Sequence, residues 1–242
     1  MWEYLKANVG RITEAEVREF MRKKPVPPVF GPRPKSDGKI FAAGPRTDWA
    51  LDSIDLRGRT KLGAAFRYIL IAQNTFTGYI FMSPMRSTNS SGPGGTAALF
   101  GKMVDASARL KPPQGPPSAL TTDSFVPGKG GNPEWQGAFQ TLLKDRQIAH
   151  RMKQKESINA MGKIDSTIRH VKALIFRGLA ETARVDWAGK LPAILETYNK
   201  RLGREGSYGS TPDQVLKDPL LEFQVQQTNA RNMEVNHKQH LD

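Results

Sequence analysis

Trp49-Ala50-Leu51-Asp52-Ser53-Ile54-Asp55-Leu56 decides how this chain is read, because it sets a carboxylate inside an otherwise apolar, strand-like run. A buried, unpaired carboxylate is strongly unfavourable, so Asp52 needs a hydrogen-bond partner, a counter-charge or a metal ion. A second acid, Asp123, closes the short β-prone run Ala119-Leu120-Thr121-Thr122. Two acids at strand ends point to one shared site. Asp55 belongs to the same strand as Asp52, but side chains alternate across a strand, which puts it on the other face in a structural role.

The residues between the two acids read as a meander. Phe66 to Gln73 is rich in aliphatic and aromatic residues, Asn74-Thr75-Phe76-Thr77-Gly78 supplies turn chemistry, and Tyr79 to Met85 is apolar again. Thr96 to Leu110 has helical composition, with Ala97, Leu99, Phe100, Met103 and Val104 as a broken apolar face, and the prolines from Pro112 end it. After the Asp123 strand come a glycine-rich loop (Val126 to Asn132), a helix from Pro133 to Asp145, a short strand (Ile148 to Met152) and a long helix from Asn159 to Leu179. The expected order is β-β-β-α-β-α-β-α. In the long helix Met161, Ile164, Ile168, Val171 and Ile175 recur at steps of three and four and form a core stripe, beside a polar stripe of Asp165, Arg169 and Lys172.

Composition narrows the partners. A chain of 242 residues allows one core of ordinary size plus extensions. Lys and Arg number 36 against 23 acids, a formal charge of +13 with a pI near 10.0, which is the footprint of a polyanion binder. Nucleic acid fits best, with strong, salt-dependent and largely sequence-independent affinity from phosphate contacts. No long apolar run or amphipathic basic helix supports a membrane partner. The absence of cysteine removes disulfides and thiolate metal sites. His150 and His170 lack partners at metal-ligand spacing, so both are read as surface or packing residues. Thr13 to Lys23 reads as a short helix with a capping box at Thr13 and Glu16. Pro25 to Arg46 is a Pro/Gly-rich basic arm that cannot form a core. Its Arg33, Lys35, Lys39 and Arg46 are candidates for lying along a phosphate backbone. No secretory signal is read at the start, and Glu222 to Asp242 reads as a polar helical tail.

Trp49-x-x-Asp52, Gly78-Tyr79-Ile80, Thr122-Asp123-Ser124 and Gly162-Lys163-Ile164-Asp165, in this order, resemble the catalytic core of retroviral and transposon integrases. Tyr198-Asn199-Lys200-Arg201 and Ser210-Thr211-Pro212-Asp213-Gln214-Val215-Leu216 are similar to the segment that follows the core in many such elements. The resemblance implies a ribonuclease-H-like α/β fold, a mixed five-stranded sheet flanked by helices. The expected divisions are an N-terminal helix and arm over 1–46, the core over 47–180, and a helical extension over 181–242. The zinc module that retroviral integrases carry before the core needs cysteine, and these residues cannot make one.

The family's third acid is usually Glu. The matching position here is Asp165, 42 residues beyond Asp123, a longer spacing than the familiar one; Glu156, 33 residues beyond it, is the rival. Asp165 is preferred because it opens a helix with a resolvable face pattern. The resemblance implies that Asp52, Asp123 and Asp165 hold two Mg2+ ions about 3.5–4 Å apart for cleavage and strand transfer at DNA ends. It also implies that the Arg169 and Lys172 stripe meets the DNA end. Two functions follow. One is a Mg2+-dependent enzyme of a mobile element, working as a homo-oligomer in the nucleus. The other is a catalytically silent core, repurposed as an RNA-binding structural subunit of a large ribonucleoprotein such as an organellar, mitochondrial ribosome.

Overall fold

The computed structural model describes residues 42–62, 64–123, 133–153, 161–177, 179, 184–201 and 209–239. The expected helix at Thr13 to Lys23, the arm residues Arg33, Lys35 and Lys39, the glycine-rich loop and Glu156 lie outside them.

Five strands form one mixed sheet: β1 (Asp48–Asp55), β2 (Tyr68–Asn74), β3 (Ile80–Met85), β4 (Ala119–Thr122) and β5 (Ala149–Met152). Their spatial order is β3-β2-β1-β4-β5. The β1–β2–β3 meander is antiparallel, while β4 runs parallel to β1 and β5 parallel to β4. This is the expected mixed five-stranded sheet. The first turn follows from its residues: the Asn74 side-chain carbonyl accepts from the amides of Phe76 (2.9 Å) and Thr77 (3.0 Å). Gly78 then takes φ 77°, where a side chain would be strained.

Alternation along β1 sorts the core into two layers. Trp49 and Leu51 face α1 (Thr96–Ala108) and α2 (Ala138–Asp145), where Trp49 stacks on Phe81 at 5.1 Å and Phe100 meets Phe139. Ala50 and Ile54 face α3 (Gly162–Phe176) and α4 (Leu191–Arg201). A sheet buried on both faces explains why β2 is apolar almost throughout rather than alternating. The expected helix from Pro133 to Asp145 divides into a 3-10 turn, Pro133–Trp135, and α2, because Gly137 at φ 53° breaks the helical path. Met161, which caps α3, is buried with Ile164, Val171 and Ile175 of the helix, and so is Thr167, whose hydroxyl lies 3.0 Å from that of Tyr198.

The residues after the core have structural work to do. Asn199 accepts from the Ile80 amide and donates to the Ile80 carbonyl, both at 2.9 Å. Its amide stands where the next strand would be and closes the outer edge of β3 at that position. Thr211 and Gln214 form a reciprocal capping box with Pro212 at the start of α5 (Pro212–Lys217), and α6 (Pro219–Gln239) follows. Asn199→Ala leaves two backbone groups of β3 unpaired beside a buried side chain, so it is expected to destabilise the fold by about 1–3 kcal/mol, measured by urea unfolding. A change within about 0.5 kcal/mol would show that water replaces the lost pair.

Candidate functional site

Asp52 and Asp123 are placed where the pairing of β1 with β4 ends. β4 pairs with β1 only from Asp48 to Leu51, so Asp52 comes one residue beyond that ladder, and Asp123 is the first residue after β4. Asp165 sits in the first turn of α3, the helix packed on the Asp52 face of the sheet. Three elements distant in sequence thus bring three carboxylates to one end of the sheet.

Their electrostatics agree with that placement. Asp52 is half-buried and accepts the Ser53 amide at 2.7 Å. Burial pushes its carboxyl up to about 6; the Ser53 amide opposes this, the charges of Asp123 and Asp165 add to it, and Lys153 opposes it. The Asp165 carboxyl is also raised, first by lost solvation, with Asp123 adding and Lys153 and Arg169 opposing. Asp123 is more exposed, and the Lys153 ammonium stands 3.7 Å from its carboxylate. The donors are hard oxygens of the kind Mg2+ takes. Among the described residues no three His, Cys, Asp or Glu side chains close around one point, so an ion would have to gather these carboxylates by side-chain rotation.

Arg169 and Lys172 are exposed on α3 in the same stripe as Asp165, as the sequence pattern implies. Lys172 is near enough to Asp55 to help lower its carboxyl, after the dominant hydrogen bond from Arg57. Arg46 precedes β1 at the other end of the sheet, where its guanidinium donates to the Pro113 carbonyl at 3.2 Å. The strands do not bring it to the acids.

Three residues of this neighbourhood escaped the sequence reading. Lys153 is the first. The second is Glu134, buried on the opposite side of the sheet, hydrogen-bonded by the Ser53 side chain and pushed up to about 7, chiefly by burial. Its Oε2 has no hydrogen-bond partner among the described residues. The third is His150. Gln140 Nε2 donates to its Nδ1 at 2.9 Å, which leaves Nε2 to donate to Thr122 Oγ1, also at 2.9 Å. Burial lowers the His150 pKa and favours this neutral form. His150 therefore ties β5 to the residue before Asp123, a specific task within the packing role expected of it. Lys153 and His150 follow only from strand pairing, and Glu134 only from the packing of its turn against β1 and α1.

No protein-family model matches the sequence, and no curated protein matches it. Solved structures share the fold. A chain of the simian T-cell lymphotropic virus intasome, determined by cryo-EM in complex with a PP2A regulatory subunit, superposes with a TM-score of 0.58 at 17% identity, covering 76% of this chain. The match spans 59% of that chain's own length. The HTLV-2 integrase catalytic core domain, solved with magnesium in a trimeric form, superposes with a TM-score of 0.50 at 17% identity, covering 71% of this chain and 97% of the domain. The protein has the fold of the retroviral integrase catalytic core, and at this identity the likeness is one of fold.

Proposed function

We propose that this protein binds nucleic acid along α3 and processes and joins DNA ends, with Asp52, Asp123 and Asp165 as the carboxylates that hold magnesium. The observation that carries the reading is that Asp52 feels the charges of Asp123 and Asp165, each delivered by a separate element to the same end of the sheet. The magnesium in the HTLV-2 core supports the same choice of ion. When bound, the ions would polarise the phosphoryl group and activate the attacking hydroxyl. The chain's own residues have the remaining tasks. The Ser53 amide fixes one oxygen of Asp52, and Arg169 and Lys172 hold backbone phosphates beside Asp165. Asp165 is one methylene shorter than Glu, so α3 must approach closely or act through water.

Reversing both charges, Arg169→Glu with Lys172→Glu, is expected to weaken DNA binding at least about tenfold and to flatten the dependence of log affinity on log salt by about two. Fluorescence anisotropy across a salt series reads both quantities. An unchanged slope would move the nucleic acid to another surface, such as the basic arm.

A second reading is a silent core that serves as an RNA-binding structural subunit of a ribonucleoprotein. It is favoured by the acids not closing around one point among the described residues. RNA is recognised largely through shape, backbone and unpaired bases, which needs the basic surface and no metal.

A further inference from the structure

Lys153 follows β5 directly, and its backbone amide continues the ladder by donating to the Thr122 carbonyl at 2.9 Å. That bond places its side chain next to Asp123, the residue after Thr122, with the ammonium 3.7 Å from the carboxylate. The Lys153 side chain is only 20% exposed although the acid it meets is 56% exposed, so the lysine is folded into the site rather than extended into solvent. A lysine stem is flexible and its ammonium is strongly hydrated, so a largely covered one needs a negative surrounding. Three acids supply it, and the lysine's charge is felt by Asp52 and Asp165 as well.

We infer that Lys153 is the resident cation of this acidic centre: its ammonium balances the carboxylates when no metal ion is bound, and it must withdraw from Asp123 for a divalent ion to enter. The inference rests on the reading of Asp52, Asp123 and Asp165 as a metal centre, and it adds a regulator to it. Metal loading becomes an exchange of one cation for another. Nucleic acid offers the withdrawn ammonium a new partner, a phosphate, so binding of the polyanion would favour loading of the metal. Arg169 also acts on Asp165, from the exposed stripe of α3.

The test uses the full chain at pH 8 and low ionic strength, with Lys153→Gln, which keeps most of the stem and removes the charge. Mn2+ affinity, read by calorimetry, is expected to tighten by a few-fold, on the order of three to ten. Without metal, the folded-to-unfolded ratio in urea is expected to fall by a similar factor. Placing Lys153→Gln in an Asp123→Asn background should remove most of that loss, since the charge it balances is gone. Unchanged or weaker Mn2+ binding by Lys153→Gln, with wild-type binding intact, overturns the inference and leaves the metal centre standing. If neither protein binds Mn2+, the metal centre falls, and the exchange with it. In that case the urea measurements still decide the rest: a loss confined to the Asp123 background that retains the acid supports Lys153 as a permanent counter-ion, and no loss removes that role too.

Discussion

Asp52→Asn is expected to reduce Mg2+-dependent joining of DNA ends at least about 100-fold while leaving affinity for DNA within about twofold of wild type. Asp52 is half-buried, fixed at one oxygen by the Ser53 amide, and the acid on which the charges of both others converge. An amide of the same shape keeps the packing but loses the negative charge, and a misplacement of about 1 Å in a reacting centre already costs on the order of 100-fold. Asp123→Asn should behave alike. Affinity should hold because, on the proposed reading, the basic residues and not the acids meet phosphates. A joining assay beside an anisotropy titration separates the two effects, and joining retained by Asp52→Asn would remove that residue from the chemistry. Asp165→Asn distinguishes the third acid from Glu156, since only one of the two substitutions should abolish joining.

The same substitution is expected to stabilise the metal-free protein at alkaline pH. A carboxyl raised from 3.8 to about 6 holds its proton more tightly in the folded state than in the unfolded one. Its favourable contribution is complete below about pH 3.8 and is lost as pH rises through about 6. Two pKa units correspond to about 3 kcal/mol, an upper value because Asp52 keeps some access to water. Glu134, raised from 4.5 to about 7, acts in the same direction over a slightly higher window. Asp52→Asn should therefore match wild type near pH 4 and exceed it at pH 8 by up to about 3 kcal/mol, several degrees in melting temperature for a chain of this size. A difference that stays constant with pH would show that Asp52 is not strained in the fold. Added Mg2+ should stabilise wild type and leave the variant unmoved, because an ion stabilises only the state that binds it.

The two results together describe a site that costs the fold stability in return for charge. Burying Asp52 within a central strand and placing other carboxylates near it is unfavourable for folding. The core beneath carries that cost, with Trp49, Leu51, Leu70 and Phe100 packed on one face of the sheet and Ile54, Ile71, Val171 and Tyr198 on the other.

The fold was legible because local patterns carried it. The apolar run of β2, the Asn74 to Gly78 turn and the three-and-four spacing of α3 are properties of neighbouring residues. Asp123 does follow the end of β4, whereas Asp52, expected at a strand end, lies inside β1 because the strand continues to Asp55 against β2. Thr167 was not legible as a core residue. Its buried hydroxyl donates to the Lys163 carbonyl one turn earlier and meets the hydroxyl of Tyr198, 31 residues away, and only the second partner is distant in sequence. Lys153, Glu134 and His150 were hidden for the same reason. His150 reaches Thr122 across 28 residues through the pairing of β4 with β5, and the burial of Glu134 depends on β1 and the start of α1, where the Thr96 hydroxyl donates to its carbonyl at 2.5 Å. Asp55, three residues beyond Asp52, has a partner of its own. It closes β1 opposite Tyr68, where Arg57 binds it and Lys172 of α3 is within electrostatic reach.

The central claim is that Asp52, Asp123 and Asp165 serve to make and break phosphodiester bonds. The most direct measurement is to incubate the purified full chain with a library of duplex DNA ends, a circular target and Mg2+, and to sequence every junction formed. The account predicts junctions that join 3′ ends to the target with wild-type protein and none with Asp52→Asn. A wild-type protein that binds the DNA and yields no junction with either Mg2+ or Mn2+ would contradict it, and would leave the silent, RNA-binding core as the reading that stands.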